Sequence, residues 1–180
     1  MSVQDERVEL IASTIKDVPD FPRPGVIFKD ITPLLASPEA FRACVEALVD
    51  IAPKDVDVVV GMEARGFMFA APVALSLGVG FVPVRKPGKL PRDVYSETFD
   101  LEYGQDTLTV HQDAISPGAR VFVVDDVLAT GGTIGATSRL IRSLGADLVN
   151  VGVVLELTDL GGREHLAKLG IDHVSALIKV

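Results

Sequence analysis

Two adjacent carboxylates end a strongly apolar segment of this sequence. Residues 121–133 read Val-Phe-Val-Val-Asp-Asp-Val-Leu-Ala-Thr-Gly-Gly-Thr. The first four residues favour a buried strand, so Asp125 and Asp126 would lie at its carboxyl end, where α/β sheets place their ligands. Vicinal Asp side chains suit the paired hydroxyls of a sugar or the hydration shell of Mg²⁺.

Small and hydroxyl-bearing residues follow the carboxylates and predict a turn into a helix. They are Ala129, Thr130, Gly131, Gly132 and Thr133. Such a turn can direct backbone N–H groups and a helix N-terminus at one phosphate, and its glycines permit close approach. No Walker loop and no Gly-x-Gly-x-x-Gly after a strand is present. The alternatives are a site for a ribose 5-phosphate and a plain strand, turn and capped helix without a ligand.

Apolar runs alternate with segments of helical period, which predicts the framework around these residues. Continuous apolar strands between helices are typical of a parallel sheet covered on both faces. The sequence therefore predicts an α/β fold with a central, mostly parallel sheet flanked by helices. The expected strands are 56–60, 81–84, 120–125, 148–155 and, at an edge, 174–180, and the expected helices include 66–78 and 133–144.

Two segments do not follow this alternation. Residues 19–35 contain four prolines and predict an irregular connection. Residues 86–106 have too little apolar content for a core element, and a loop of that length in a compact domain is usually functional, often a lid.

Composition limits the class of protein. The 180 residues are 48% hydrophobic and 23% charged, which fits one ordered domain. Cys44 is the only cysteine, so a disulfide scaffold is excluded. Lys and Arg total 17 against 25 Asp and Glu, and the net charge of −8 argues against a nucleic-acid partner. The acidic N-terminus lacks a secretory signal, and the uncharged stretch 66–84 contains prolines and glycines, so we expect a cytoplasmic protein without a membrane span.

Segment 121–133 closely resembles the phosphoribosyltransferase signature that binds 5-phosphoribosyl-1-pyrophosphate. Further segments are similar to parts of the adenine phosphoribosyltransferase family, and the resemblance runs from Phe21 to Glu164. It implies the type I phosphoribosyltransferase fold, as a single domain over 1–180 with a small N-terminal hood region and a long flexible catalytic loop. The matching segments are 20–31 (base-binding region, within the hood segment 1–35), 61–67 (pyrophosphate loop), 85–91 and 101–104 (start and end of the flexible loop 86–106), and 155–158.

The resemblance also implies a reaction. Adenine and 5-phosphoribosyl-1-pyrophosphate would give AMP and pyrophosphate, with Mg²⁺ as cofactor and a homodimer as the assembly. The ribose 5-phosphate would contact Asp125, Asp126 and residues 129–133. Substrate and water would hold most of the Mg²⁺ shell, near Asp125 and Asp126.

Basic residues would meet the leaving pyrophosphate, because charge develops there as the bond at the anomeric carbon breaks. The matched positions are Arg65, Arg85, Lys86 and Lys89, of which Arg65, Lys86 and Lys89 are the expected catalytic cations. The segment 85–92 holds four basic residues and no acid before Asp93, and its alternative interpretation is a solvated basic loop.

The remaining matched residues concern the base. Glu102 would accept the N9 proton of adenine, the alternative being an exposed surface acid, and Tyr103 would help to close the lid. Phe28 would stack on the purine, and the backbone of Ile27 would read its edge. Lys29 stands where the family commonly has arginine, which keeps the charge but loses planar bidentate geometry.

Three other functions remain open from the sequence. A related enzyme could use xanthine, hypoxanthine or guanine instead of adenine. A regulator could keep the binding fold without turnover, although Arg65 and Glu102 argue for catalysis. A phosphoacceptor receiver domain would need its acid pair near the N-terminus, whereas Asp125 and Asp126 lie two-thirds along the chain.

Overall fold

The helices and strands were assigned in a computed structural model, which describes residues 3–100 and 104–180. A short 3₁₀ helix, Thr158–Leu160, follows the eighth strand. In chain order the other elements are α1 (Val3–Thr14), β1 (Lys16–Pro19), β2 (Ile27–Asp30), α2 (Thr32–Ala36), α3 (Pro38–Asp50), β3 (Val58–Met62), α4 (Arg65–Leu77), β4 (Gly80–Val84), β5 (Val94–Asp100), β6 (Gln105–His111), β7 (Arg120–Leu128), α5 (Gly132–Ser143), β8 (Asp147–Glu156), α6 (Gly162–Lys168) and β9 (Val174–Lys179).

The chain packs as two compact units, residues 1–50 and 51–180. The first unit contains α1, α2, α3 and the antiparallel ribbon of β1 and β2. Cys44 is fully buried on the apolar face of α3, and this burial raises the pKa of its thiol to about 12. The single-domain assignment of the whole chain stays a prediction.

The second unit is built on a five-stranded sheet in the order β4-β3-β7-β8-β9. Every neighbouring pair in this sheet is parallel, and β9 lies at an edge, as predicted. All five residues of β3 are buried, which is why this strand reads as a continuous apolar run. The α/β class with a parallel sheet and flanking helices is therefore confirmed.

Two expectations about irregular segments were wrong. Residues 94–100 form β5, which pairs with β6 in an antiparallel hairpin, so part of the expected loop 86–106 is regular structure. Its Phe99 is buried in the core, and its β-branched and aromatic residues supply the cross-strand pairs that stabilise such a hairpin. Similarly, residues 27–30 in the expected irregular connection form β2 because they pair with β1.

The sheet brings the functional segments together. β3 and β7 are adjacent and parallel, so the turns after Met62 and Leu128 emerge at the same edge. Gly61 permits the close approach of α4 to β3, because a Cβ there would lie 2.5 Å from Cβ of Ala70. Across residues 3–100 and 104–180, no helix is both long and apolar enough to cross a membrane.

Candidate active site

A cavity of about 200 Å³ opens at the carboxyl edge of the sheet. Its wall combines the turn after β3 with the end of β7 and the start of α5. The lining residues are Glu63, Ala64, Arg65 and residues 125–134. The structure thus places Asp125 and Asp126, residues 129–133 and Arg65 around one cavity.

The two carboxylates in this cavity are strongly desolvated. Asp125 is 8% exposed and Asp126 is 5% exposed. Burial raises the pKa of Asp125 well above its usual range, and the neighbouring charge of Asp126 raises it further. Burial also raises the pKa of Asp126, although the Arg65 guanidinium opposes that change. The pair therefore holds fixed acceptors in a nearly dry site, where hydrogen bonds to sugar hydroxyls are strong.

Arg65, the first residue of α4, pairs with one of the two buried carboxylates. Its Nε lies 2.9 Å from Oδ2 of Asp126. About two-fifths of the Arg65 side chain is exposed, at 38%, so the guanidinium bridges the buried carboxylate and the open cavity. This geometry places a cation between the predicted ribose subsite and solvent, where a leaving anion would depart.

Residues 129–133, the phosphate turn, carry the chain from β7 into α5. Gly131 precedes the helix with φ of +84°, a left-handed conformation that favours glycine. α5 begins at Gly132, one residue earlier than expected, and has no side-chain cap on its first N–H groups. Free N–H groups at a helix start, next to glycines, are suited to a phosphate.

Glu63 lies in the cavity wall, and the sequence analysis assigned this residue no role of its own. Its carboxylate accepts a hydrogen bond from the Lys86 backbone N–H and one of 3.2 Å from Nη2 of Arg85. Burial raises the pKa of Glu63, but these hydrogen bonds and the charges of Arg85 and Lys89 outweigh it, so the net pKa is lowered. The charged carboxylate fixes the end of β4 against the turn that carries Arg65.

The other expected cations lie beside the cavity rather than in its wall. Arg85 points a guanidinium at Glu63, and its Cζ lies 6.0 Å from the ring centre of Phe67. Lys86 Nζ lies 2.9 Å from Oδ2 of Asp106 at the start of β6. Lys89 is exposed, and its carbonyl accepts a hydrogen bond from Arg85. Two of these three cations, Arg85 and Lys86, are therefore already paired with carboxylates.

The hairpin of β5 and β6 contacts the phosphate turn directly. A Cβ on Gly132 would lie 3.1 Å from Cδ2 of Phe99. Glu97 on β5 accepts a 2.9 Å hydrogen bond from Nε of Arg139 on α5. The sequence interpretation of this region as a loop missed both contacts, although residues 94–99 are rich in the β-branched and aromatic types that favour strands.

The residues expected to bind adenine lie in the first unit. Phe28 packs edge-on against Phe21, with ring centres 5.1 Å apart, and Ile27 is exposed. Lys29 pairs with Asp17, its direct neighbour across the β1–β2 ribbon, at 2.7 Å from Nζ to Oδ1. The Lys29 ammonium is thus held by a carboxylate of its own unit.

Glu102 and Tyr103, the expected general base and lid residue, lie outside the described residues. In the part of the chain that the structure does describe, no three or more His, Cys, Asp or Glu side chains gather into a metal-binding group. The Asp125 and Asp126 oxygens nevertheless suit Mg²⁺, which proteins usually hold through one or two carboxylates together with substrate phosphates and water.

Comparison with known proteins identifies the family. The fold and cavity place two buried carboxylates, an arginine and a glycine turn at the carboxyl edge of a parallel sheet, an arrangement suited to a phosphorylated sugar. Residues 30–170 match the phosphoribosyl transferase domain family. The adenine phosphoribosyltransferase of Cutibacterium acnes is 66% identical over 174 residues, which cover 97% of this chain and 98% of that protein.

Solved structures agree with this assignment. The adenine phosphoribosyltransferase of Thermoanaerobacter pseudethanolicus superposes with a TM-score of 0.92 at 48% identity, covering 96% of this chain and 99% of that one. The Saccharomyces cerevisiae enzyme, solved with adenine and D-2,5-dideoxy-2,5-imino-altritol 1,6-bisphosphate, gives 0.90 at 37% identity, covering 97% and 99%. The chain therefore belongs to the phosphoribosyltransferase family, in its adenine phosphoribosyltransferase branch.

Proposed function

We propose that the cavity between the turn after β3 and the phosphate turn is the catalytic site of this enzyme. The reaction is the transfer of the 5-phosphoribosyl group from 5-phosphoribosyl-1-pyrophosphate to adenine, which gives AMP and pyrophosphate. One observation carries the site assignment: a single cavity is lined by two buried carboxylates, a helix-initiating glycine turn and an arginine.

The carboxylates and the phosphate turn bind the sugar phosphate. Backbone N–H groups of residues 129–133 and the Thr130 and Thr133 hydroxyls donate to the 5-phosphate, which the N-terminus of α5 also attracts. Asp125 and Asp126 accept hydrogen bonds from the ribose hydroxyls. Because both carboxylates are held by packing before the substrate arrives, little reorganisation is needed on binding.

The basic residues stabilise the departing pyrophosphate. As N9 of adenine bonds to the anomeric carbon, the bond from that carbon to pyrophosphate breaks and negative charge accumulates on the leaving group. Arg65 lies at the cavity wall and supplies positive charge there, with Arg85, Lys86 and Lys89 from the segment after β4. Glu63 supports this arrangement because it holds the Lys86 backbone and the Arg85 guanidinium.

The residues proposed to bind and deprotonate adenine are those that the family resemblance assigns. Phe28 stacks on adenine, the Ile27 backbone reads its edge and Lys29 supplies a charge nearby. Glu102 takes the N9 proton, and Tyr103 closes over the substrates. The pairing of Lys29 with Asp17 supports an indirect role for this lysine, since its ammonium already has a carboxylate partner.

Mg²⁺ is the proposed cofactor. It would be held mainly by substrate and water, near the Asp125 and Asp126 carboxylates. When bound, it neutralises charge on the leaving group. The oxygen-only donor set of this pair supports the assignment.

The proposed assembly is a homodimer in the cytoplasm. An exposed apolar row on α4 supports the dimer: Met68, Ala71 and Leu75 lie on one helical face, and Leu75 is 82% exposed. Such a row on a soluble surface is typical of a subunit contact. The row begins at Met68, three residues after Arg65 on the same helix, so a second subunit there would lie next to the proposed pyrophosphate site.

Steady-state assays with four purines test the reaction. Purified protein, 5-phosphoribosyl-1-pyrophosphate and Mg²⁺ are incubated with adenine, hypoxanthine, guanine or xanthine, and nucleotide formation is measured by chromatography. We expect AMP formation to have the highest kcat/KM. A preference for a 6-oxopurine would overturn the choice of base, and donor binding without nucleotide formation would indicate a sensor instead of an enzyme.

A further inference from the structure

Helix α6 packs against the phosphate turn by backbone contact. Gly162 begins α6, and a Cβ there would overlap the carbonyl oxygen of Ala129. A Cβ on Gly131 would lie 3.0 Å from the carbonyl oxygen of Gly162 and 3.2 Å from Cγ of Leu166. Since no side chain separates the two backbones, a shift of α6 would be transmitted to the turn.

One arginine fixes α6 to the sheet. Arg163 donates from Nε to Oε1 of Glu156 at 2.8 Å and from Nη2 to Oε2 at 2.6 Å. Its Nη1 donates to the carbonyl oxygen of Val174 at 2.8 Å. Glu156 ends β8 and Val174 begins β9. The guanidinium therefore joins the helix to two strands through three hydrogen bonds.

The partner of this arginine is a buried carboxylate, and two parallel hydrogen bonds from the guanidinium compensate for its burial. The Glu156 side chain is 5% exposed. Hydrogen bonds from Arg163 lower the pKa of Glu156, burial opposes them, and Glu156 in turn raises the pKa of Arg163. A planar fork matches a carboxylate with two parallel bonds, which a lysine cannot reproduce. Neither residue lines the cavity.

We propose that Arg163 is a positioning residue for the 5-phosphate. Its bonds to Glu156 and Val174 hold α6 in place, and Gly162 then sets the backbone of the phosphate turn so that its N–H groups converge. This inference rests on the proposed role of residues 129–133 in binding the 5-phosphate. Arg163 touches no substrate and acts only through the turn.

Affinity for ribose 5-phosphate reports on this role without turnover. We expect Arg163→Gln to weaken ribose 5-phosphate binding, measured by isothermal titration calorimetry, by about tenfold, because small misplacements of binding groups are costly. The KM for 5-phosphoribosyl-1-pyrophosphate should rise in parallel, while the KM for adenine changes by less than about twofold. Arg163→Lys keeps the charge without the fork and should give an intermediate loss.

Arg120→Gln is the matched control. Arg120 lies at the start of β7, at the opposite edge of the sheet, and pairs with Asp55 at 2.7 Å from Nε to Oδ2. This variant should bind ribose 5-phosphate normally. If Arg163→Gln does not fold because Glu156 is left buried with only the Lys179 ammonium, 4.0 Å away, the double variant Glu156→Gln/Arg163→Gln, which has no buried charge at this position, is measured instead.

Two results would overturn the inference. One is normal ribose 5-phosphate affinity in a folded variant without the Arg163 fork, and the other is an equal rise in the KM for adenine. The variants Thr130→Val and Gly131→Ala test separately whether the phosphate turn binds the 5-phosphate at all. If both turn variants also bind ribose 5-phosphate normally, the phosphate turn itself is misassigned; if they bind weakly, only the positioning role is wrong.

Discussion

Gly66 lies directly against a carboxylate that we propose binds the ribose. A Cβ on Gly66 would lie 2.7 Å from Oδ1 of Asp125 and 3.4 Å from the carbonyl oxygen of Val124. Gly66 has an ordinary helical backbone within α4, so an alanine there causes no backbone strain. Gly66→Ala therefore acts on the position of the Asp125 carboxylate.

The magnitude of the effect follows from this contact. To reach an ordinary van der Waals distance, the carboxylate must move by about 0.7 Å. Overpacking typically costs about 1–3 kcal/mol, against which alanine gains about 0.5–1 kcal/mol in a helix. We expect a net loss of up to about 2.5 kcal/mol in the free energy of unfolding, or up to about 10 °C in Tm. Misplacement of a binding group on this scale should lower kcat/KM by about 10- to 100-fold.

The assay compares kcat/KM for 5-phosphoribosyl-1-pyrophosphate in the variant and the wild type, with Tm from differential scanning calorimetry. Gly80→Ala is the control, because it adds the same methyl group at the start of β4, where a Cβ would lie 3.9 Å from Cγ2 of Val58, an ordinary contact away from the cavity. We expect the control to keep kcat/KM within about twofold. A folded Gly66→Ala protein with wild-type kcat/KM would refute the role of Asp125 in sugar binding.

Four further predictions concern the cations, the acid pair, the base and the assembly. Asp106→Asn releases Lys86 from an exposed ion pair, so the KM for 5-phosphoribosyl-1-pyrophosphate should fall by about two- to fivefold in steady-state kinetics. The kcat/KM for the same substrate should fall with decreasing pH through the raised pKa of Asp125, because protonation removes its acceptor role. Because the pKa of Asp125 is raised, the folded state binds more protons than the unfolded state, and protonation of this group favours the folded state as the pH falls. We therefore expect kcat/KM to be lost at a higher pH than the one at which circular dichroism shows unfolding. Glu102→Ala should lower kcat by about 10²- to 10⁴-fold while leaving calorimetric binding of 5-phosphoribosyl-1-pyrophosphate nearly unchanged. Leu75→Glu should shift the mass measured by light scattering from a dimer to the monomer value of 19.1 kDa.

Each of these predictions has a contradicting outcome. An unchanged or higher KM in Asp106→Asn would mean that Asp106 does not compete for Lys86. A pH-independent kcat/KM down to acid unfolding would remove Asp125 from binding. Near-normal kcat in Glu102→Ala would exclude it as the base. If Leu75→Glu remains a dimer, the subunit contact lies elsewhere. Ser76→Glu, on the same helix, is the control for the added charge.

The strongest predictions came from residues that are close in the sequence. Asp125, Asp126 and the phosphate turn lie within nine consecutive residues, so one strand and one turn position all of them. The alternation of apolar strands and helices likewise predicted the parallel sheet, since burial on both faces leaves a continuous apolar run. The family resemblance added the identity of the base and of the leaving group.

Contacts between distant residues were not predictable in this way. Glu63 meets Arg85 only because β3 and β4 are neighbours in the sheet, and a charged residue in a turn reads as solvated when considered alone. Arg163 and Glu156 are seven residues apart but belong to different elements. The β5–β6 hairpin was missed because its stability comes from pairing and from packing on α5, which local apolar content does not report.

A crystal structure of the enzyme with 5-phosphoribosyl-1-pyrophosphate and Mg²⁺ tests the central claim most directly. We predict that the 5-phosphate occupies the phosphate turn, that the ribose hydroxyls contact Asp125 and Asp126, and that the pyrophosphate meets Arg65. Electron density for the 5-phosphate at any other place, with residues 129–133 making no contact to the ligand, would contradict the site described above.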